Sequence, residues 1–558
     1  MMPLFSRLKG TLAYVGYYRL CMGPERLTLV TTLTFTLLYN LAFWRSTLAG
    51  HDPTAPGTWL LAAGYAVVLT SLQYVVFLLF VSRWTVKPLL ALLILIAAAV
   101  SYFTNSYGTY FDSTMITNVL QTDTQEAGEL LTGGFLLHMT LFAVLPILLL
   151  SRIHIPVVSW RRALLRRTGY LSLSAVVLVA SVFLMYQHLS PLMRNQPELR
   201  YLVTPGNYIV SMERVLATND QVAPQERLPL ENDASITDHP NQKPALLVIV
   251  VGETVRAANW GLNGYSRQTT PELAQRDVIN YSEVSACGTS TAVSVPCMFS
   301  PLGHEDYDKS YIAHHESLLD VLQHAGIDVT WLDNQSGCKG VCNGVVNASI
   351  SAKDYPSLCQ NGRCFDEALA EELKRRIEQS TGDTVIVLHE LGNHGPSYYQ
   401  RYPDAFRDLT PTCDNADLSK CTQQEIVNSY DNAILYNDRV LSDMVDFLDQ
   451  QQRFAASLIY LSDHGESLGE NGVYLHGLPY IIAPDEQTQV PMVWWISGVM
   501  RKRTGIDATC LKTKADEPYS HANLFHTVLG ILDVTTEIYR PTLDIGRSCR
   551  APVILSGK

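Results

Sequence analysis

The sequence predicts a protein in two parts, a bundle of five transmembrane helices followed by an α/β domain. Long runs with almost no charge occur only in the first third of the 558 residues. After residue 244, short apolar runs alternate with helix-like segments, which is typical of α/β folds. The predicted domains are a transmembrane domain (1–186), a linker (187–243) and an α/β domain (244–558).

The five apolar runs are each close to the ~20 residues that cross the core of a bilayer. They cover about 27–44, 58–81, 89–104, 134–151 and 169–186. A cleaved signal peptide is the alternative for the first run, but four more runs follow it. Basic residues precede the first run (Arg26), separate the second from the third (Arg83, Lys87) and cluster at 152–167. The positive-inside rule therefore predicts a cytoplasmic N-terminus and an exterior location for everything after about 187.

The cysteines support this topology independently. Of 11 cysteines, only Cys21 lies on the predicted cytoplasmic side, and the others fall in the predicted exterior part as four closely spaced pairs together with Cys510 and Cys549. Such pairs indicate disulfides in an oxidising compartment, and none has the CxxC spacing typical of zinc–thiolate sites. The predicted disulfides are Cys287–Cys297, Cys338–Cys342, Cys359–Cys364, Cys413–Cys421 and Cys510–Cys549.

The net charge of the chain bears on its binding partners. A value of −12 argues against a nucleic-acid partner.

The predicted linker is rich in proline. Its stretch YLVTPGNYIVSMERVL (201–216) is nevertheless apolar enough to lie along a membrane surface as a helix. We therefore expect membrane lipids as the surroundings of the first half of the chain.

Continuous apolar runs in the α/β domain predict parallel strands that are covered on both faces. They are ALLVIVV (245–251), DVTWL (328–332), TVIVL (384–388), SLIYL (457–461) and VPMVWWI (490–496). The segment 425–450 places apolar residues on one stripe of a helix. Since ligands bind beyond the carboxyl ends of such strands, the residues that follow them are the candidate site.

Two carboxylates and an imidazole follow two of these strands. Glu253, Asp463 and His464 form a mixed oxygen and nitrogen set that suits Zn²⁺. His389 and His394 are five residues apart, which does not fit the helical HExxH site and indicates a loop. Together with His476 they suit a second metal or a phosphate.

The stretch CGTSTAVSVPC (287–297) supplies three candidate nucleophiles, the hydroxyls of Thr289, Ser290 and Thr291. A free hydroxyl is a poor nucleophile, but a bound metal lowers its pKa and stabilises charge in a phosphoryl transition state. Spacing does not choose among the three residues.

Four segments together resemble the lipid A phosphoethanolamine transferases, a family that includes the mobilised colistin-resistance enzymes. They are VGETVRAANWGLNGYSRQTTPEL (251–273), CGTSTAVSVPCMFS (287–300), HELGNHGP (389–396) and SDHGESLGENGVYLHG (462–477). The resemblance covers essentially the whole chain, since the family also has five transmembrane helices before its catalytic domain. It implies an alkaline phosphatase/sulfatase-like fold for the α/β domain.

The resemblance also implies roles for individual residues. It makes Thr291 the nucleophile and assigns the zinc ligands to Glu253, Thr291, Asp463 and His464. The positions that match the family's substrate or second-zinc contacts are Ser336, Lys339, His389, His394 and His476. Two departures stand out: Glu390 replaces a glutamine common in relatives, which adds a negative charge near the phosphate site, and some members lack the Cys338–Cys342 pair.

A polar stripe follows the third transmembrane run. Asn118, Thr122 and Glu126 recur every four residues, as on one face of a helix. A solvated face is the plain interpretation. The resemblance instead implies contacts with a lipid head group, with Glu126 beside an ethanolamine ammonium and the other two on the phosphate.

The resemblance implies a zinc-dependent transfer of phosphoethanolamine from phosphatidylethanolamine to lipid A through a phosphoethanolamine-threonine. It implies one catalytic zinc and leaves a second open. We expect a monomer in the inner membrane of a Gram-negative bacterium, with its catalytic domain in the periplasm, that gives resistance to polymyxins and cationic peptides. The alternatives are another acceptor (core heptose, Kdo or periplasmic glucan), a sulfatase- or phosphatase-like hydrolase, and a membrane sensor without enzyme activity.

Overall fold

The computed structural model describes residues 20–122, 124–219, 227–230, 233–237, 242–360 and 362–550. They form two compact units. The first contains the described residues up to Asp112 together with Leu131–Glu213, and the second contains Ser113–Leu130 and the described residues from Arg214 onward. Parts of the predicted linker (220–226, 231–232 and 238–241) lie outside the described residues, and the predicted domain boundaries stay a prediction.

The first unit is helical. Among the described residues, four helices are long and apolar enough to span a bilayer, or five if a bent pair counts as one span. The four are Pro56–Phe80, Val86–Tyr107, Gly133–Arg152 and Trp160–Leu184, and the bent pair is Pro24–Tyr39 with Leu41–Thr47. Shorter helices follow at Tyr186–Asn195, Pro197–Leu202 and Gly206–Asn219. The predicted fold class, an N-terminal apolar helical bundle before an α/β domain, is confirmed.

The bend in the first helix pair has a local cause at Asn40. Its backbone leaves the helical region (φ −111°, ψ 33°), and the two helices meet at 59°. The Asn40 amide then donates to the carbonyls of Phe35 (2.7 Å) and Thr204 (2.8 Å), while its oxygen accepts from Thr204 N (2.7 Å). The side chain thereby satisfies backbone groups that the break would leave without partners.

The second unit is built on an eight-stranded sheet whose strands we number in chain order. They are β1 (Ala245–Gly252), β2 (Val278–Ser285), β3 (Asp328–Asp333), β4 (Val346–Ser349), β5 (Thr384–His389), β6 (Ala455–Ser462), β7 (Gln489–Ile496) and β8 (Tyr519–Ser520). Their order across the sheet is β8-β2-β7-β6-β1-β5-β3-β4. Every residue of β1, β5 and β6 is buried, as expected for strands that are covered on both faces.

The register of the central strands sets the position of the site. β6, β1, β5 and β3 are parallel neighbours, with Gly252 opposite Ser462 and Asp333 opposite His389. Because these strands end at the same level, the residues that follow them meet at one edge of the sheet.

One predicted strand runs in the opposite direction. The stretch VPMVWWI lies in β7, which is antiparallel to both β6 and β2, so its assignment as a parallel strand was wrong. β6 ends at the site edge, and the chain re-enters the sheet near that edge at Gln489. A continuous apolar run reports burial on both faces but not strand direction, so the sequence could not show this reversal.

Helices surround the sheet in the second unit. They cover Ser113–Gln121, Thr124–Leu130, Thr291–Met298, Lys309–His314, Leu318–His324, Glu367–Gln379, Gln423–Asp449, Asp485–Thr488, Gly498–Thr504, Ala508–Thr513 and Ala522–Ile531. The long helix Gln423–Asp449 begins with a capping box between Thr422 and Glu425, and its predicted apolar stripe is buried.

The five cysteine pairs predicted from the sequence are all joined as disulfides in the second unit. Cys21 is free and exposed. The Cys287–Cys297 disulfide closes the hydroxyl-rich loop, and Cys338–Cys342 closes the turn that carries Lys339.

Candidate active site

Three side chains meet beyond the ends of β1 and β6. Glu253 follows β1, and Asp463 and His464 follow β6. All three are fully buried, and one ligand atom from each lies within 4.8 Å of the others. This is the geometry expected of a metal site at the carboxyl ends of parallel strands.

Local hydrogen bonds orient these groups toward one another. Asp463 Oδ1 accepts from the backbone N–H of Thr254 (3.1 Å) and of His464 (2.7 Å). His464 Nδ1 donates to the carbonyl of Gly465 (2.9 Å), which leaves a lone pair on Nε2. This Nε2 atom lies 3.4 Å from Asp463 Oδ2 and 3.5 Å from Glu253 Oε1. Acceptor atoms thus face one another in a buried space.

Such an arrangement suits a bound cation. Burial raises the pKa of Glu253 above its usual value, and the neighbouring Asp463 raises it further. Burial also raises the pKa of Asp463, and it lowers that of His464 well below its usual value. Among the described residues, Asp463 Oδ2 has no hydrogen-bond partner. A divalent metal would satisfy these acceptors and keep the carboxylates ionised, so the residues present fit a metal ion.

Thr291 is the hydroxyl that reaches this group. Its Oγ1 lies 3.2 Å from each carboxylate oxygen of Glu253 and 3.4 Å from His464 Nε2. It is the first residue of the helix Thr291–Met298, where backbone N–H groups and the helix dipole favour negative charge. The other two candidates differ: the Thr289 hydroxyl donates to the carbonyl of Leu478 (2.6 Å), and Ser290 precedes the helix without a side-chain cap bond.

His521 connects the Thr291 loop to the Asp463 loop. Its Nδ1 accepts from the backbone N–H of Cys287 (3.1 Å), and its Nε2 donates to the carbonyl of Ser462 (2.9 Å). The ring is buried, and burial lowers the pKa of His521 to about 3, so it is neutral and its tautomer is fixed by the two bonds. His521 is a positioning residue that sequence reasoning missed, since nothing in its local sequence marks it.

A cleft beside Thr291 brings most of the predicted substrate residues together. It is lined by Asn118, Thr122, Glu126, Ser336, Lys339, His394 and His476, with Gln121, Ser290, Ala292 and Gln335. Lys339 Nζ donates to the hydroxyl (2.7 Å) and the carbonyl (3.1 Å) of Ser336. The cleft combines cationic and anionic side chains with one reactive hydroxyl.

Two histidines of the cleft have carboxylate partners. His476 Nδ1 lies 2.8 Å from Glu466 Oε2, and His394 Nε2 lies 3.4 Å from Glu126 Oε1. Glu466 also accepts from Tyr398 OH (2.6 Å), which fixes its orientation. Glu466 is a second residue that sequence reasoning did not single out, although it lies two positions after His464.

The polar stripe reaches the cleft in a different way from the one predicted. Asn118 lies in the helix Ser113–Gln121 and Glu126 in the separate helix Thr124–Leu130, so the stripe is not on one continuous helix. Thr122 lies between them. Its backbone N–H (2.9 Å) and its hydroxyl (2.8 Å) both donate to the carbonyl of Asn118, so the first helix closes its last turn there. The prediction of one helix was wrong, but the three side chains still line the same cleft.

Ion pairs fix this segment within the second unit. Glu129 pairs with Arg363 (3.0 Å) and with Arg401 (2.7 Å), whose side chain is fully buried. Gln125 donates to the carbonyl of Gly362 (3.0 Å). A mostly buried carboxylate between two guanidinium groups is a strong tether, because breaking it would leave the buried Arg401 without this partner.

His389 is not part of the cleft lining. It is fully buried, with Nδ1 3.0 Å from Asp333 Oδ2 and Nε2 3.8 Å from Glu253 Oε2. Burial alone would raise the pKa of Asp333, but His389 and other hydrogen-bond donors lower it to about 2. This geometry places His389 beside Glu253 rather than with His394 and His476.

Glu390 also lies outside the cleft and is fully buried. Its Oε2 accepts from Asn437 Nδ2 (3.1 Å). Burial, with the nearby Asp366, raises the pKa of Glu390 well above its usual value, which favours the neutral carboxyl. In its neutral form Glu390 would resemble a glutamine in charge, and it lies outside the cleft.

Known proteins resemble both parts of the chain. A family model described as phosphoethanolamine transferase EptA/EptB matches residues 69–219, and one described as sulfatase matches residues 245–534. The chain is 40% identical over 531 residues to phosphoethanolamine transferase EptA of Escherichia coli K12, covering 94% of this chain and 96% of the relative. It is 36% identical over 535 residues to phosphatidylethanolamine transferase Mcr-1 of Escherichia coli, covering 93% and 97%.

A solved structure agrees with both parts. The integral membrane lipooligosaccharide phosphoethanolamine transferase A from Neisseria meningitidis has a TM-score of 0.92 and 39% identity, covering 95% of this chain and 100% of that chain. The similarity therefore extends over the helical unit as well as the α/β unit.

The metal site generates a first prediction. We expect Asp463→Asn to abolish tight metal binding while the fold is kept, because the amide brings a donor to a group of acceptors that a divalent metal would satisfy. Metal content per chain after dialysis, measured by elemental mass spectrometry, checks this. The buried Asp438→Asn is the matched control, since Asp438 accepts from the backbone N–H of Glu272 and Leu273 instead. Retained metal in Asp463→Asn would contradict the assignment.

The role of His521 generates a second prediction. We expect His521→Phe to lower kcat about ten-fold or more with little change in KM, because a small displacement of Thr291 relative to Asp463 is costly. It should also destabilise the fold by about 1–3 kcal/mol through the unpaired Cys287 N–H and Ser462 carbonyl. His521→Asn retains an acceptor for Cys287 and should recover part of kcat. Equal activity of all three proteins would show that the bridge does not position the nucleophile.

The raised pKa of Glu390 generates a third prediction. We expect Glu390→Gln to leave turnover and Tm nearly unchanged, because the amide has the same size and charge as a protonated carboxyl. Glu390→Ala, which leaves a buried cavity, should lower Tm and serves as a control that the position is sensitive. A large loss of turnover in Glu390→Gln at unchanged Tm would mean that an ionised carboxylate is needed.

Proposed function

The chain belongs to the family of EptA phosphoethanolamine transferases, and from this premise we propose that it transfers phosphoethanolamine from phosphatidylethanolamine to lipid A. The names of its relatives support the transferred group, and one relative is a Kdo(2)-lipid A phosphoethanolamine 7″-transferase, 26% identical over 503 residues. A transfer between two lipids suits an integral membrane protein whose second unit carries the site.

The position of Thr291 carries the proposal. Its hydroxyl lies 3.2 Å from both oxygens of a fully buried carboxylate, Glu253, at the start of a helix and at the side of the cleft. This combination of an acceptor for the proton and a positive helix end suits a nucleophile that attacks phosphorus.

In the first half-reaction, Thr291 Oγ1 forms a bond to the phosphorus of phosphatidylethanolamine, and the bond from phosphorus to the glycerol oxygen breaks. The hydroxyl proton ends on diacylglycerol, which leaves. Glu126 lies in the cleft as a partner for the ethanolamine ammonium, while Asn118, Ser336 and Lys339 are donors for the phosphate oxygens. Thr122 becomes a further donor when its hydroxyl turns away from the carbonyl of Asn118.

In the second half-reaction, a phosphate monoester of lipid A attacks the phosphoethanolamine held on Thr291. A new P–O–P bond forms, the bond from phosphorus to Thr291 breaks, and the acceptor's proton returns to Thr291 Oγ1. Atoms and charges balance, and the product carries an added ammonium.

We propose zinc as the metal, held by Glu253, Asp463, His464 and the hydroxyl of Thr291, whose oxygen and nitrogen donors suit this ion. When bound, zinc lowers the pKa of a coordinated hydroxyl and stabilises negative charge on a phosphoryl group. Among the described residues, one group of three suits a metal, which supports a single catalytic ion. On this proposal three histidines orient the metal ligands and contact the substrate, and they do not hold a second zinc. They are His389, His394 and His476.

The cellular setting follows from the same proposal. Five disulfides suit an oxidising periplasm, and the apolar helices suit the inner membrane of a Gram-negative bacterium. We propose that the protein acts as a monomer. Modified lipid A has lower negative charge, which weakens binding of polymyxins and other cationic peptides.

The nucleophile generates a fourth prediction. Cells that express the protein should contain lipid A with an added phosphoethanolamine, detected by mass spectrometry, and Thr291→Ala should abolish that species because the attacking oxygen is gone. Thr291→Ala should insert and fold normally. Thr289→Ala is the matched control and should retain far more activity. Persistence of the adduct in Thr291→Ala would contradict the proposed mechanism.

A further inference from the structure

A second cavity in the catalytic unit lies next to the cleft. It has a volume of about 480 Å³ and borders the helix that begins with Thr291. The cavity and the cleft share three lining residues, Gln121, Ala292 and Lys339. Ala292 directly follows Thr291, so this cavity opens beside the nucleophile and is large enough for part of a substrate.

The shared border contains a constrained turn. Lys339 has a positive φ of 51° between Gly337 and Gly340, which are also at positive φ. The Cys338–Cys342 disulfide closes the same turn. A side chain in the left-handed region persists only where its surroundings fix it, so Lys339 is held between the two spaces by the fold.

The walls of the cavity combine apolar and cationic surface. Leu120, Pro296, Phe299 and Ile312 contribute apolar atoms, and Lys309 contributes an ammonium. The Lys309 Nζ donates to Thr117 Oγ1 (3.2 Å), and an ammonium has three donors, so an anion can accept others.

Two other charged side chains, Arg227 and Glu316, are among the described residues of the lining, and Oε2 of Glu316 is buried without a hydrogen-bond partner there. Arg227 forms two bonds to Asp320 (2.9 and 2.7 Å), which commits its guanidinium to that carboxylate. Glu316 is the single carboxylate among the described lining residues, and its Oε1 lies 3.7 Å from His324 Nε2. Lys309 and Lys339 are therefore the cations of the cavity that are not paired with a carboxylate.

We propose that this cavity binds the acceptor, as a phosphate monoester on an acylated sugar, during the second half-reaction. The inference rests on the proposed function and names the subsite for its second substrate. Charge complementarity favours the acceptor over the donor. The acceptor phosphate is an anion that must approach a second phosphate on Thr291, and lysines reduce that repulsion. The diacylglycerol part of the donor is neutral and forms no ion pair with these lysines, although the apolar wall alone would suit either lipid.

The test separates the two half-reactions in the full-length protein in detergent micelles. Adduct formation is measured by intact-protein mass spectrometry after mixing with phosphatidylethanolamine alone. The preformed adduct is then mixed with monophosphoryl lipid A, or with glucosamine 1-phosphate, which carries the phosphate without acyl chains. A wild-type chain that forms no adduct overturns the proposed function and this inference with it.

The cationic wall is tested with Lys309→Gln. We expect the rate of transfer from the adduct to both acceptors to fall about ten-fold or more, because a charge-assisted hydrogen bond to phosphate is lost, while adduct formation falls far less. Lys502→Gln, an exposed lysine outside the cavity lining, is the control and should change neither step. An equal fall in both steps, or no fall in transfer, overturns the assignment.

The apolar wall is tested with Leu120→Gln. Leu120 and its neighbour Val119 are each 56% exposed, but only Leu120 lines the cavity, so Val119→Gln is a matched control. We expect Leu120→Gln to raise the KM for monophosphoryl lipid A several-fold and to leave transfer to glucosamine 1-phosphate unchanged. Identical effects of the two variants on monophosphoryl lipid A would show that acyl chains bind elsewhere.

Discussion

The structure of the catalytic unit depends on one electrostatic constraint, the burial of acceptor atoms that face one another. The carboxylates of Glu253 and Asp463 and the lone pair of His464 meet in a space without water access, and their mutual repulsion opposes the folded state. The fold brings them there because β1 and β6 are parallel, adjacent and in register, so the residues after both strands meet. On the proposed function, a bound cation offsets this repulsion and makes the group functional.

Contacts around this group fix the position of Thr291. The Cys287–Cys297 disulfide and the two hydrogen bonds of His521 fix the loop before Thr291 relative to Ser462. The segment Ser113–Leu130 belongs to the same compact unit and is tied to it through Glu129. The cleft therefore combines the Thr291 hydroxyl with polar side chains of Ser113–Leu130. In the sequence, this segment lies more than a hundred residues before most of the second unit.

Much of this site is visible in the sequence, and the reasons for the rest are physical. Glu253, Asp463 and His464 could be predicted because continuous apolar runs mark buried strands and polar residues directly follow them. Spacing could not distinguish Thr291 from Thr289 and Ser290, and only the family resemblance separated them.

The direction of β7 was invisible because an apolar run is the same in either direction. The interrupted helix at Thr122 was missed because a four-residue period looks the same whether one helix or two successive helices carry the residues. His521 and the cavity at Lys309 arise from contacts between segments far apart in sequence, which no local pattern reports.

The most direct test of the account is the site of covalent attachment. Purified full-length protein is mixed with phosphatidylethanolamine, quenched in acid, digested and sequenced by tandem mass spectrometry. The account predicts a phosphoethanolamine group on the peptide that contains residues 287–300, with fragment ions that place it on Thr291. Attachment to another residue, or turnover of the donor without any covalent adduct, would contradict the central claim that this buried group of ligands serves to make Thr291 a nucleophile.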